Sequence, residues 1–236
     1  MMTNNKIFIF LEFKNLKIIF SVYNSNYENK YFNSIKLDFS QKESLENLSS
    51  IIRENIIKIE KKIGEFVNEI NIILDLNKSI NIKLNIFKKK ENSEITHGDI
   101  KYLIQDARQQ IIEQNKNLTI LHILVENFYI DKIKKKKILK NFSANDFSIN
   151  LNFICYPSKD IFNFKSLLGK SQIKVNKFIC SKYLESILEK DLSEELQTST
   201  ARIKTIMGLN QNEVQMVPKI SKKQGFFERI FKFFLK

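Results

Sequence analysis

Short apolar runs with alternating polar positions fill the first forty residues. The runs at 6–13, 16–23 and 30–39 are rich in Ile, Phe, Tyr and Val and are separated by Lys14-Asn15 and by Asn24-Ser25-Asn26. This pattern predicts a meander of antiparallel strands. The period then lengthens: Leu45, Leu48, Ile52, Ile56, Ile59 and Ile63 recur at helical spacing. A helix is expected there, with Ser40 as its N-cap, Glu43 at the capping-box position and Gly64 as its stop. Strands are expected at 70–76 and 80–87, and Thr96 caps a second helix with Asp99 at its N3 position and Ile100, Leu103, Ile104 and Ala107 along its apolar face. Further on, 118–125 is an apolar run, 147–156 alternates as a strand, 158–168 is a helix after Pro157, and 173–180 is a strand followed by a helix to residue 189. Strands and helices thus interleave, without internal repeats. From Gly208 the pattern lapses into a polar stretch broken by Pro218, which predicts a tether over 208–220.

The segment 221–236 sorts onto two faces of one helix. At about 100° per residue, Phe226, Phe227, Ile230, Phe231, Phe233, Phe234 and Leu235 fill one arc, and Glu228, Arg229, Lys232 and Lys236 fill the rest. Such a helix is too short to cross a hydrocarbon core of about 30 Å and suits the membrane interface, aromatic face down and cations toward lipid phosphates. Lys222 and Lys223 add to the attraction, each basic residue contributing on the order of 1 kcal/mol near an anionic leaflet. The alternative is a terminal helix docked on its own domain.

Composition narrows the classes. A chain of 236 residues with 43% hydrophobic content can bury one or two small cores. The net charge of +13 invites a nucleic-acid partner, but only four of the 39 basic residues are arginines: Arg53, Arg108, Arg202 and Arg229. Base readout and bidentate phosphate contacts favour arginine, so the lysines read as solvated surface and no nucleic acid is expected. The runs Lys88-Lys89-Lys90 and Lys134-Lys135-Lys136-Lys137 suit loops between strands. Cys155 and Cys180 lack metal-like or redox-like spacing and are expected as buried thiols in a reducing compartment, while His97 and His122 are too isolated for a metal cluster. The apolar run 7–11 is interrupted by Glu12, Lys14 and Lys17 before it could serve as a signal segment or a span, which leaves the body of the protein in the cytoplasm.

Several segments together resemble the bacterial cell-division actin family, FtsA. The stretch from Glu94 to Arg108 resembles the family's E-I-T-x-x-D-V helix start, and that from Ile120 to Asp131 its I-L-H-V-I-P-Q-E-Y-x-I-D strand. Residues 149–155 and 173–180 fall where the family has further strands, and 200–208 resembles its A-E-R-I-K-T-L-Y-G helix, with Val217-Pro218 just beyond. An amphipathic membrane helix at the C-terminus is also a family trait. The resemblance implies an α/β (α+β) chain: an incomplete actin-like, ribonuclease H-like subdomain at 1–76 and 157–207, an inserted subdomain of SHS2 type at 77–156, the tether, and the membrane-targeting helix at 221–236.

The departures bear on chemistry. Where the family has a D-I-G-T phosphate loop, this chain has Glu12-Phe13-Lys14-Asn15, without the glycine, and the second D-I-G-G-G-T-type hairpin expected soon after residue 190 has no counterpart. Ala201 stands in place of the family's helix glutamate. ATP is the family's cofactor, yet only Lys17 and Lys204 match its positions, so no cofactor is expected. Independently, the glycines at 64, 98, 169, 208 and 225 form no glycine-rich loop, so neither a P-loop nor a dinucleotide fingerprint is present. Carboxylate pairs such as Glu194 and Glu195 fall in charged helical stretches, and no nucleophile-base arrangement has sequence support. The expectation is therefore a non-enzymatic adaptor on the cytoplasmic side of the cell membrane, at the division site. Its expected membrane contacts are Phe226, Phe227, Arg229, Ile230, Phe231, Lys232, Phe233, Phe234, Leu235 and Lys236. Division proteins such as FtsZ are the implied partners, with self-association as a further mode, although most of the family's FtsZ-binding subdomain has no counterpart before residue 208. The alternatives are a residual actin-like ATP-binding protein and a scaffold for pilus or other envelope assembly.

Overall fold

The computed structural model describes residues 6–14, 16–37, 45–136 and 142–215. The expected cap Ser40 with Glu43, and the amphipathic segment 221–236 with all its membrane contacts, lie outside the described residues. In chain order the strands and helices are β1 (Ile7–Lys14), β2 (Lys17–Asn24), β3 (Asn29–Lys36), α1 (Leu45–Ile63), β4 (Glu69–Leu74), β5 (Ile80–Ile95) and α2 (His97–Gln114). There follow β6 (Leu118–Ile130), β7 (Ile133–Lys135), β8 (Phe142–Pro157), α3 (Ser158–Gly169), β9 (Lys174–Cys180), α4 (Ser181–Ser186) and α5 (Glu194–Met207). They divide into two compact units, Met1–Lys78 with Lys159–Leu209, and Ser79–Ser158 with Asn210–Lys236.

The first unit is a five-stranded sheet in the order β3-β2-β1-β4-β9. The meander β1 to β3 is antiparallel, β4 joins β1 in parallel and β9 joins β4 in parallel. This is the ribonuclease H-like strand order. Parallel neighbours require crossover connections, and α1 supplies the one into β4. Ile9, Leu11, Ile18, Phe20 and Val22 are buried on one face. There the Asn33 side chain of β3 donates to Asn55 of α1 at 2.7 Å, and Phe164 of α3 packs on Phe13 with ring centroids 4.8 Å apart. On the other face Phe8, Phe10, Tyr23, Ile73 and Ile179 form one core with Leu184 of α4 and Ala201 and Ile203 of α5. Both faces are covered, so β1 reads as a nearly continuous apolar run.

The second unit is an antiparallel sheet in the order β5-β8-β6-β7. Its elements run strand, helix, strand, strand, with β7 a short addition on β6. One face is apolar and is packed by α2: Ile100, Leu103, Ile104, Ala107 and Ile111 meet Ile86, Ile123, Val125, Phe128, Phe147, Ile149, Leu151 and Phe153. Burying side chains of this size contributes about 1.5–3 kcal/mol each. Entry into α2 is set by a complete capping box, in which the Asp99 N–H donates to Thr96 Oγ1 at 3.3 Å and the Thr96 N–H donates to Asp99 Oδ2 at 2.9 Å. Lys88 of β5 closes on the same carboxylate.

The strands of the second unit are longer than their apolar runs. β5 continues through Lys88, Lys89 and Lys90, which were expected in a loop; β6 extends past residue 125 to Ile130, and β8 starts at Phe142 rather than 147. Lys134 and Lys135 likewise belong to β7, with Lys136 in the bend after it, while Lys137 lies outside the described residues. One face of this sheet is wet and takes Lys89, while Lys88 on the other face meets Asp99, so neither ends the strand. Elsewhere β3 stops at Lys36, short of 39, the helix after β9 ends at Ser186 rather than 189, and α5 begins six residues ahead of the family-like segment, at Glu194. A correction concerns the expected tether. Residues 210–214 do not run free: the Val125 N–H donates to Asn212 O at 2.8 Å, the Val214 N–H donates to Ile123 O at 2.8 Å, and Leu124 and Glu213 form a bridge. The exposed edge of β6 next to β7 offers unsatisfied backbone groups, and this polar segment satisfies them.

The hydrogen bonds from Lys88 and Thr96 hold the Asp99 carboxyl well below the usual carboxylate range. A depressed folded value means stability that is present above the unfolded value of about 4 and is lost as pH falls through the folded one. Asp99→Asn is expected to cost about 1 kcal/mol in urea unfolding at pH 7, and the difference from the unsubstituted chain should shrink as the pH is lowered below about 4.

Candidate functional site

Three polar features stand out against the apolar packing. The first lies at the end of β1, where the resemblance places the phosphate loop. Lys14 pairs with Lys17 across the hairpin, so only two residues make the turn, and Leu16 takes φ 62° there. Ahead of the turn, Glu12 points to the α5 face and is buried, as is Arg202 on α5. The two form an ion pair, and the guanidinium also donates to Ser21 Oγ at 2.6 Å and lies 5.8 Å from the Phe10 ring centre and 5.9 Å from that of Tyr23. Acid, base, hydroxyl and aromatic faces are thus all engaged with one another.

Of the two lysines matched to family positions, Lys17 opens β2 as an exposed residue beside Lys36 of β3, and Lys204 of α5 is paired with Glu189. Lys177 meanwhile donates to the Thr205 carbonyl at 3.0 Å, and α5 ends on Gly208, whose φ of 69° is the left-handed cap that glycine adopts without strain.

The second feature is in the other unit. His122 of β6 is buried, and its Nδ1 lies 2.8 Å from Glu213 Oε1 on the segment that borders the strand. Isolation in the sequence marked His122 as structural, and its partner 91 positions away could not be found by spacing. Cys155 and Cys180 are both free and buried, and burial pushes the Cys155 thiol up to about 11. That group is protonated at neutral pH and a poor nucleophile. Among the described residues no three His, Cys, Asp or Glu side chains gather as metal ligands.

The third feature is the face of the second sheet opposite α2. The register aligns Phe87 of β5, Ser148 of β8, Tyr129 of β6 and Lys134 of β7 in one row, and Asn85, Asn150 and Asn127 in the next. Paired residues share a face, so each row projects together. Ser148 and Asn150 form the floor of a trough along β8, walled by Phe87 and Asn85 on one side and Tyr129 on the other, with a volume of ≈ 400 Å³. Phe87 is 56% exposed. The Asn85 side chain donates to Asn150 Oδ1 across the trough, and the Asn152 side-chain oxygen, next along β8, is buried without a hydrogen-bond partner.

No protein-family model and no curated protein matches the chain. Several solved structures are similar to it, two of them as follows. A PilM-PilN type IV pilus biogenesis complex is 7% identical, covers 75% of this chain and 48% of its own, and has a TM-score of 0.46. A Bacteroides thetaiotaomicron protein with an actin-like ATPase fold and unknown function is 11% identical, covers 77% of this chain and 54% of its own, and has a TM-score of 0.35. The chain spans about half the length of either structure.

Removing one partner of a buried ion pair strands the other charge. Arg202→Ala should cost about 3–5 kcal/mol in urea unfolding, whereas Arg202→Met combined with Glu12→Leu should recover most of that loss.

Proposed function

We propose that this protein is a membrane-tethered adaptor of FtsA-like architecture, linking division proteins to the inner face of the cytoplasmic membrane without nucleotide hydrolysis. The single observation that carries this reading is the first unit's hairpin. Where the resemblance has a glycine-lined loop around phosphates, β1 turns into β2 within two residues, and the carboxylate just before the turn is consumed by Arg202. A fold of this class that has closed its phosphate position keeps its architecture as a platform. The second unit supplies the platform's contact surface, with one face committed to α2 and the other polar, aromatic and basic.

Membrane attachment is the part of the proposal carried by sequence alone, through the aromatic arc and cations of 221–236. No helix among the described residues is long and apolar enough to cross a membrane, so attachment rests on that interfacial segment. In the cell a fluorescent fusion should concentrate in a band at midcell and become diffuse when residues 225–236 are deleted. Ile230→Asp with Phe234→Asp, which puts two charges in the apolar arc, should reduce co-sedimentation with anionic vesicles by about tenfold or more. Undiminished binding by either variant would withdraw the membrane assignment, and a signal all round the envelope without a midcell band would withdraw the division role.

A further inference from the structure

The trough along β8 has the chemistry of a peptide site. Its floor is small and polar, Ser148 and Asn150, and its walls are two aromatic rings, Phe87 and Tyr129, that flank Ser148 in one row of the sheet. Adjacent strands lie about 4.8 Å apart, so rings on the two strands beside β8 stand about 10 Å apart. That gap admits one side chain between them or one extended backbone along the floor. The asparagines suit a backbone. Asn85 donates its amide hydrogen to Asn150 Oδ1, which leaves the Asn85 oxygen as an acceptor and the Asn150 amide as a donor, the pair of functions that a peptide unit answers.

Charge at one end of the trough selects the peptide. Lys132 lines it and Lys134 stands in the aromatic row, both exposed, while Lys135, paired with Phe128, belongs to the opposite face. The acids nearby are partly spent. Asp131 accepts from the backbone N–H groups of Asn145 at 2.9 Å and Asp146 at 3.0 Å, and Asp146 is set opposite Lys89 by the register. The surplus of cations around an aromatic slot is complementary to carboxylates flanking a ring or an aliphatic side chain. A lipid surface would use the lysines but has no need of a polar trough between rings, and the strands here carry asparagine where an inserting face would carry apolar residues.

We propose that this face binds an extended acidic segment of a partner protein, with one aromatic or aliphatic side chain seated between Phe87 and Tyr129 and carboxylates against Lys132 and Lys134. The inference rests on the adaptor reading, and it names the surface and the kind of partner.

A phage-displayed library of random twelve-residue peptides, panned on the full chain at low salt, tests it. Enriched peptides should be acidic around a single aromatic or aliphatic residue. By fluorescence anisotropy their affinity for the full chain should fall about tenfold with Phe87→Ala plus Tyr129→Ala, and by a similar factor with Lys132→Glu plus Lys134→Glu. It should also weaken as added salt shortens the screening length to below about 8 Å. The lysine variant alters exposed positions only, so unchanged melting keeps it informative if the aromatic variant fails to fold. Absence of enrichment, enrichment of peptides without acidic residues, or binding indifferent to both variants would overturn the proposal. So would loss of binding to vesicles with about 30% anionic lipid on Lys132→Glu plus Lys134→Glu, since that makes the face a lipid contact. The assay contains neither membrane nor division protein. A diffuse fusion in cells would therefore end the adaptor reading and leave this result standing, and failed panning would do the reverse.

Discussion

A charge taken out of water must find its counter-charge where it lies, and in the first unit that constraint falls on Arg202. Its neighbours Ala201 and Ile203 belong to the apolar core between α5 and the sheet. The guanidinium therefore enters a layer that would otherwise exclude it, and Glu12, Ser21 and the rings of Phe10 and Tyr23 make a socket for it. Such pairs add little net stability over an apolar replacement of the same volume, because desolvation offsets attraction. Their effect is geometric. A planar donor with a fixed fork fits one orientation, and it sets the rotation and height of α5 over β1 and β2. The Lys177 contact with the Thr205 carbonyl and the left-handed Gly208 fix the other end of the same helix.

Much of this architecture was legible in the sequence, and the reason is periodicity. The meander, α1, the capping box of α2 and the helix after Pro157 are local, and each announces itself through spacing of two or 3.6 and through terminal residues. Limits of strands were less legible where one face is solvated. Lys88, Lys89, Lys134 and Lys135 look like loop residues until β5 and β7 pair with their neighbours, which gives Lys88 a partner in Asp99 and leaves the other three exposed. Least legible were the contacts that join distant positions: Glu12 with Arg202, His122 with Glu213, and the aromatic row across four strands. No local pattern encodes them, since they exist only after registers are set.

The two units have taken different chemical courses. In the first, the buried Glu12 and Arg202 are turned inward and matched to each other. In the second, the apolar side is spent on a single helix while the other side keeps amides, rings and lysines at the surface. The proposed adaptor role draws on this division, because a scaffold that changes little can present a surface whose affinity is tuned by exposed residues without cost to folding.

The border of β6 consists of two pieces, β7 over Phe128–Ile130 and residues 212–214 over Ile123–Val125. The second piece follows α5 in the chain, so it leaves a ribosome after all the strands of the second unit. Until it emerges, the middle of β6 presents a bare row of amides and carbonyls, and His122 lacks the carboxylate it is buried with. During synthesis the second unit therefore passes through a stage with its own core assembled and one edge open, the stage at which strands most readily pair with the wrong chain. The short polar stretch that the sequence suggested was only a connector is the latch that ends that exposure.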